Sequence, residues 1–245
     1  AEAAEMAAKI ASFDPVKAYL EGLVWDQTPR IDHWLTDFFG AEQSEYTRLV
    51  GRFWLLGMVK RAFEPGCKFD YMPILEGPQG RGKSSALEIL AHPWFGNTDF
   101  VMGDKDSMAV MQGKWLYEIA ELDSFNKADT TRVKSFVSRQ FDEFRPAYGR
   151  RVVKLPRRVV LVGTTNQFEY FKDASGNRRF WPIRCVDMID LDGLRAARDQ
   201  LLAEAVVRWR EGDRCYPSRD EQEQFVAPER VHAFESLRSA EERHR

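Results

Sequence analysis

Cysteine is scarce in this chain of 245 residues, and the little there is lies scattered. Cys67, Cys185 and Cys215 are odd in number, far apart and without a CxxC spacing. That argues against a disulfide framework and a zinc site, and favours a reducing compartment. Long apolar runs are missing too: none approaches the ~20 residues of a membrane span, so no membrane partner is expected. The opening stretch AEAAEMAAKI lacks the apolar core of a secretion signal, which leads to the expectation of a domain cut from a longer chain and working in the cytoplasm. No repeat period is present either, which sets aside solenoids and propellers. What remains, with 44% hydrophobic and 13% aromatic residues, suffices for a large buried core and excludes a disordered or fibrous chain.

Strong net charge is also lacking, at -2, but the average hides an asymmetry. Residues 132–158 carry nine Lys/Arg against two acids, a net +7, so the rest of the chain carries -9. A concentrated basic segment on an acidic body points to a local polyanion contact.

The texture of the chain changes twice. Residues 1–66 read as a helical preface, with apolar residues at three- and four-residue spacing such as Leu49, Phe53, Leu56 and Val59. Helices are predicted over FDPVKAYLEGLVWD, PRIDHWLTDFFG and SEYTRLVGRFWLLGMVKRAF, with Asp14-Pro15 and Asp26 supplying cap and turn chemistry. Residues 67–188 alternate short apolar runs with amphipathic stretches, the pattern of an α/β domain with a central, largely parallel sheet. Within it Pro73 fits a strand only near its start, because it cannot donate to a ladder. Residues 189–245 form a helical C-terminal segment that begins with a long amphipathic helix and weakens toward its end.

The chemistry concentrates in the middle region. Gly77, Pro78, Gln79, Gly80, Arg81, Gly82, Lys83 and Ser84 match GxxxxGK[ST], after an apolar run and opening a helical pattern that continues through Ser85. Such a loop turns backbone N–H groups toward phosphate oxygens, with Lys83 reaching the β/γ-phosphates and Ser84 ligating Mg²⁺. ATP and Mg²⁺ are therefore the expected ligands. A nucleotide-hydrolysing site also needs an acid on a neighbouring strand. Glu118 and Glu121 close the apolar run KWLYEIAEL; Glu118 is placed on the metal side and Glu121 beside the attacking water, although the Glu-x-x-Glu spacing leaves the division of labour open. Asn166 ends a third apolar run, VVLVG followed by TTN, where an amide can hold water near the γ-phosphate. Beyond it, Arg178 and Arg179 precede another apolar run and can be presented to a neighbouring subunit's nucleotide. In FRPAYGRRVVKLPRR two extended stretches flank Tyr148-Gly149, a hairpin pattern. It places Arg150 and Arg151 at the tip, with Arg145 and Lys154 along the arms, and these with Tyr148 are the candidate DNA contacts.

Taken together, YLEGLVWDQTPRIDHW, LEGPQGRGKS, GKWLYEIAELD, VKSFVSRQFDEFRPAYGR and VVLVGTTNQFEYFKDASGNRRFWPIR resemble the virulence-associated protein E family, a branch of the superfamily 3 helicases of phages and mobile elements. The resemblance implies an AAA+-like P-loop ATPase core whose motifs run A, B, B′ and C. It also implies a hexameric homo-oligomer with a basic hairpin gripping single-stranded DNA in a central channel. An arginine just beyond motif C then acts in trans, Arg179 fitting that place best and Arg178 next. A bacterial host cell would be the setting, and a primase or origin-binding domain or partner would lie elsewhere. The leading expectation is an ATP-driven DNA helicase or translocase in replication. The alternative is an ATP-switched DNA-binding assembly protein without processive unwinding. A small-molecule kinase shares the P-loop but leaves the basic hairpin and the arginine pair without a role.

Overall fold

The structure is a computed structural model that describes residues 13–98, 105–122, 127–145, 151–166, 177–185 and 187–226. Three helices open the described chain: α1 (Pro15–Glu21), α2 (Trp34–Phe39) and α3 (Glu45–Phe63). Strand β1 (Met72–Glu76) follows, then α4 (Lys83–Ala91), β2 (Phe95–Gly96), α5 (Lys105–Val110), β3 (Leu116–Ile119) and α6 (Lys127–Val137). A hairpin of β4 (Phe141–Phe144) and β5 (Val153–Pro156) precedes β6 (Val160–Thr165). After a 3₁₀ turn over Asn177–Arg179 come β7 (Phe180–Arg184), α7 (Leu191–Arg210) and α8 (Arg219–Val226).

Five strands form one sheet in the order β2-β3-β6-β1-β7, and every pairing in it is parallel. Strands covered on both faces need apolar residues on both, and these have them. Leu75, Leu116, Val160, Val162 and Ile183 enter one core with α1–α3, α4 and α7. Ile74, Tyr117, Ile119 and Leu161, one residue out of phase, enter a second core with Val133, Phe136 and Phe144. Pro73, second in β1, pairs with Trp181 on the β7 side, while the ladder to β6 begins one residue later at Ile74. That is the position the sequence allows it.

Helix α3 is the spine of the first core. Thirteen of its 19 residues are buried, so it is apolar nearly all round, as a helix enclosed by others must be. Ser44 caps it by accepting from the Thr47 N–H at 3.1 Å, a contact worth about 1 kcal/mol. Asp14 caps α1 in the same way, with Pro15 in the first turn. The preface nevertheless holds less helix than its periodicity predicts. Helix α1 stops at Glu21 with Gly22 as its C-cap, and further on the Asp26 side chain accepts from the Thr28 N–H at 2.9 Å in a local turn. The Arg30 guanidinium forks onto the Asp26 carboxylate and holds it well below the usual carboxylate range. The loop is then fastened to α7: Asp26 N–H donates to Gln200 Oε1 at 2.8 Å, and Arg30 and Ile31 N–H both donate to the fully buried Glu204. The LVWD segment is thus a clasp between preface and C-terminal helix. All three cysteines are free thiols. Among the described residues no helix is long and apolar enough to cross a membrane.

Candidate active site

Parallel strands bring their C-terminal ends to one edge, and in such sheets that edge receives ligands. Here β1 ends at Glu76 and the loop Gly77–Gly82 leads into α4, whose N-cap Gly82 has φ 90°. A side chain would be strained there. At Gly77, φ 153°, space forbids a side chain as well, since a Cβ would meet the Cys185 carbonyl oxygen at 2.2 Å. Cys185 itself is buried, which pushes its thiol up to about 12.

Above this loop lies a cavity of about 300 Å³, bounded by residues 79–85, Glu118, Ala120, Glu121, Thr164, Thr165 and Asn166. Lys83 is 7% exposed, and its ammonium donates to Gly77 O at 2.5 Å, Pro78 O at 2.9 Å and Asn166 Oδ1 at 3.2 Å. Those three acceptors hold the cation at the cavity wall. On the other side Glu118, 3% exposed, accepts at Oε1 from Ser84 Oγ–H and from Thr164 Oγ1–H, both at 2.7 Å. Glu121 follows Glu118 three residues later in the chain. It is exposed, borders the cavity, and has φ 54°, a left-handed conformation unusual for a residue with a Cβ. Its neighbour Leu122 is fully buried, which pins the chain at that point.

The structure therefore gathers Lys83, Ser84, Ser85, Glu118, Glu121 and Asn166 around one cavity, along with Gln79, Gly80, Arg81 and Gly82; Gly77 and Pro78 join it through their carbonyls. Hard oxygen donors from a hydroxyl and a carboxylate suit Mg²⁺, which takes few protein ligands and keeps waters and phosphate oxygens. Among the described residues no three His, Cys, Asp or Glu side chains cluster as a metal cage. Thr164 was not singled out by sequence reasoning. The register pairs Glu118 with Val162, so Thr164, two residues on, shares Glu118's face of the sheet; strand order was the missing information.

Arg178 and Arg179 do not join this cavity. Phe180 pairs with Met72 and Arg184 with Glu76, so the arginines sit where β7 begins, roughly 15 Å along the strands from the P-loop end. Arg178 is exposed; Arg179 is half-buried, its Nε sealed from solvent without a hydrogen-bond partner.

The hairpin lies at that same far edge. Its two arms pair antiparallel, Phe141 with Pro156 through Phe144 with Val153. Arg145 and Arg151 are exposed. Lys154 reaches Glu143 at 3.1 Å and lies over the Phe141 ring. Tyr148, Gly149 and Arg150 lie outside the described residues. One sequence expectation is corrected: Arg157, counted in the basic window, is no surface cation. It is 2% exposed, bonded to buried Asp142 at 3.0 Å and to Phe136 O at 2.5 Å, and lies over the Phe136 ring. Arg61 Nη1 in turn donates to Arg157 O at 3.2 Å, and its own burial brings Arg61 down to about 10. Arg158, next in sequence, faces outward and pairs with Asp14.

Comparison with known proteins agrees with this architecture. Residues 20–234 match the family model of the virulence-associated protein E-like domain. Two apo structures of the NrS-1 C-terminal region share the fold. The A form superposes with a TM-score of 0.56 at 14% identity, covering 76% of this chain and 48% of that one. Another apo form superposes with a TM-score of 0.57 at 12% identity, covering 84% and 53%. The chain thus spans about half the length of these neighbours. No curated protein matches it in sequence.

Proposed function

The chain belongs to the virulence-associated protein E-like domain family, and from that premise we propose that it is an ATP-driven DNA motor of superfamily 3 type, acting in replication of a phage or mobile element inside a bacterial host cell. One observation carries the proposal: a P-loop lysine, a buried carboxylate bonded to the P-loop serine, and a strand-end asparagine converge on one cavity at the C-terminal edge of a parallel sheet. Phosphoryl transfer needs positioning and charge stabilisation more than covalent chemistry, and these groups supply both.

In this mechanism the loop N–H groups cradle the phosphates, and Lys83 exchanges protein carbonyls for phosphate oxygens. Ser84, backed by Glu118, holds Mg²⁺, which when bound offsets phosphate charge. Glu121 orients the attacking water and takes its proton, and Asn166, released from Lys83, fixes that water or the γ-phosphate. Arg178 and Arg179, too far along the sheet to reach their own cavity, serve a neighbouring copy in a ring, for which a hexamer is the expected size. The hairpin offers Arg145 and Arg151 to DNA phosphates in the ring's channel.

Hydrolysis of ATP with Mg²⁺, measured with and without single-stranded DNA alongside particle size, tests the proposal. Turnover stimulated by DNA, in a species larger than one copy, is expected. A folded protein that does not hydrolyse ATP under any of these conditions would refute it. Stimulated hydrolysis without displacement of a strand from a tailed duplex would assign the chain to the ATP-switched assembly class instead.

A further inference from the structure

We propose that Thr164 is a positioning residue that holds Glu118 in register for the metal alongside Ser84, an inference that rests on the nucleotide reading above. Glu118 Oε1 receives two hydroxyl donors at the same distance, 2.7 Å, one from the helix α4 and one from the neighbouring strand β6. The donors differ in what else is asked of them. Ser84 belongs to the first turn of α4, directly after the phosphate loop, and its oxygen is the one a metal would draw on. Thr164 is 6% exposed on β6, held between β1 and β3, where a β-branched side chain has little χ1 freedom. Its bond to Glu118 is therefore set by the strand and does not depend on the first turn of α4.

Position along the strand supports the assignment. Three consecutive residues at the end of β6 each fasten a different part of the site. Thr164 holds the acid, Thr165 O accepts from Gly77 N–H at 3.3 Å, and Asn166 accepts from Lys83. Of these, only the Thr164 bond acts on the carboxylate side. A partner that orients a ligand-holding carboxylate is typically worth 10–100-fold in metal affinity (about). The cost of removing it falls on the metal step and leaves the phosphate cradle intact.

The experiment uses the full chain and a fluorescent ADP analogue titrated with Mg²⁺ and, separately, with EDTA. Thr164→Val keeps the strand and removes the hydroxyl. It is expected to lose roughly tenfold of the affinity gained with Mg²⁺, at unchanged affinity in EDTA, while Thr164→Ser restores the wild-type ratio. Thr164→Ala runs in parallel in case the valine prevents folding. On a Glu118→Gln background the Thr164→Val change should alter the Mg²⁺ ratio by less than about twofold, because the two residues act as one unit. An unchanged Mg²⁺ ratio in Thr164→Val, an equal loss with and without Mg²⁺, or a full additional effect on the Glu118→Gln background each overturns the proposal. If the wild-type chain binds the analogue in a Mg²⁺-dependent way and Thr164→Val matches it, only this inference falls. If the wild type does not bind the analogue at all, the nucleotide reading falls and this inference with it.

Discussion

The two ends of the sheet treat their cations in opposite ways. At the P-loop edge Lys83 is buried and held by three protein acceptors around a cavity of about 300 Å³. Residues 132–158 carry nine Lys/Arg, and folding treats those of the described hairpin and its root differently. Arg157 goes inside with Asp142, Lys154 meets Glu143, Arg158 meets Asp14, and Arg145 and Arg151 face solvent. The difference teaches that a charge count measures a surface field only after the internal pairs have been subtracted. A loop motif survives folding intact because backbone geometry, not net charge, defines it.

The sharpest way to break this contrast is at the nucleotide end. Lys83→Ala removes the one ammonium bonded to the loop carbonyls, and steady-state ATP hydrolysis should drop roughly 100-fold or more with weakened nucleotide binding. Measurable turnover within a few-fold of wild type would dissociate the motif from the chemistry. The next largest effect is expected at the hairpin root. Arg157→Ala leaves Asp142 buried without its partner, a loss of about 3–5 kcal/mol in denaturant unfolding. A loss below about 1 kcal/mol would mean that water reaches Asp142 and that the root is open.

Exposed arginines should behave otherwise. Arg145→Ala combined with Arg151→Ala should leave unfolding and ATP binding unchanged while lowering single-strand affinity. The slope of log affinity against log salt should shrink by about 1.4, the share of two phosphate contacts. An unchanged slope would move the DNA contact off the hairpin arms. A smaller effect is expected from Glu121→Gly. Relief of the left-handed conformation should raise stability by about 1 kcal/mol in thermal unfolding, while hydrolysis falls and nucleotide binding stays. Lower stability in that variant would show that the conformation is supported rather than strained. Arg158→Ala should do least: its pair with Asp14 is half-exposed and screened, so at most about 0.5 kcal/mol is at stake. A loss as large as that of Arg157→Ala would erase the distinction between the two neighbours.

Legibility followed the same divide. The strands holding Glu118 and Asn166 were readable because their apolar runs are continuous, the mark of strands covered on both faces. Of the hairpin, the arm Val153–Pro156 was readable as an extended stretch, whereas its partner Phe141–Phe144 lies ahead of the stretch expected to pair with it, and the expected Tyr148-Gly149 turn lies outside the described residues. The short edge strand Phe95–Gly96 and the helix Lys105–Val110 carry too few residues for a period to register. The helix expected over FDPVKAYLEGLVWD overran the end of α1 at Glu21; the turn chemistry of Asp26 was legible, but its anchors on α7, some 174 residues away, were not. Arg157 and Arg158 are the same residue type; their partners separate them, Arg157 meeting Asp142, 15 residues upstream and brought alongside by the hairpin pairing, and Phe136, while Arg158 meets Asp14. Thr164 escaped notice for a related reason, since its partner lies on another strand.

The placement of Arg178 and Arg179 at the opposite edge from the P-loop has a consequence for counting. Under the reading that they serve a neighbour, each copy uses two unlike surfaces, one to give and one to receive, so the interface is heterologous. An open row of copies then always ends in one cavity with no arginine and one arginine pair with no cavity. Closing the row into a ring completes that last site without adding a subunit, so specific activity should rise at closure itself, beyond the gain from each added copy.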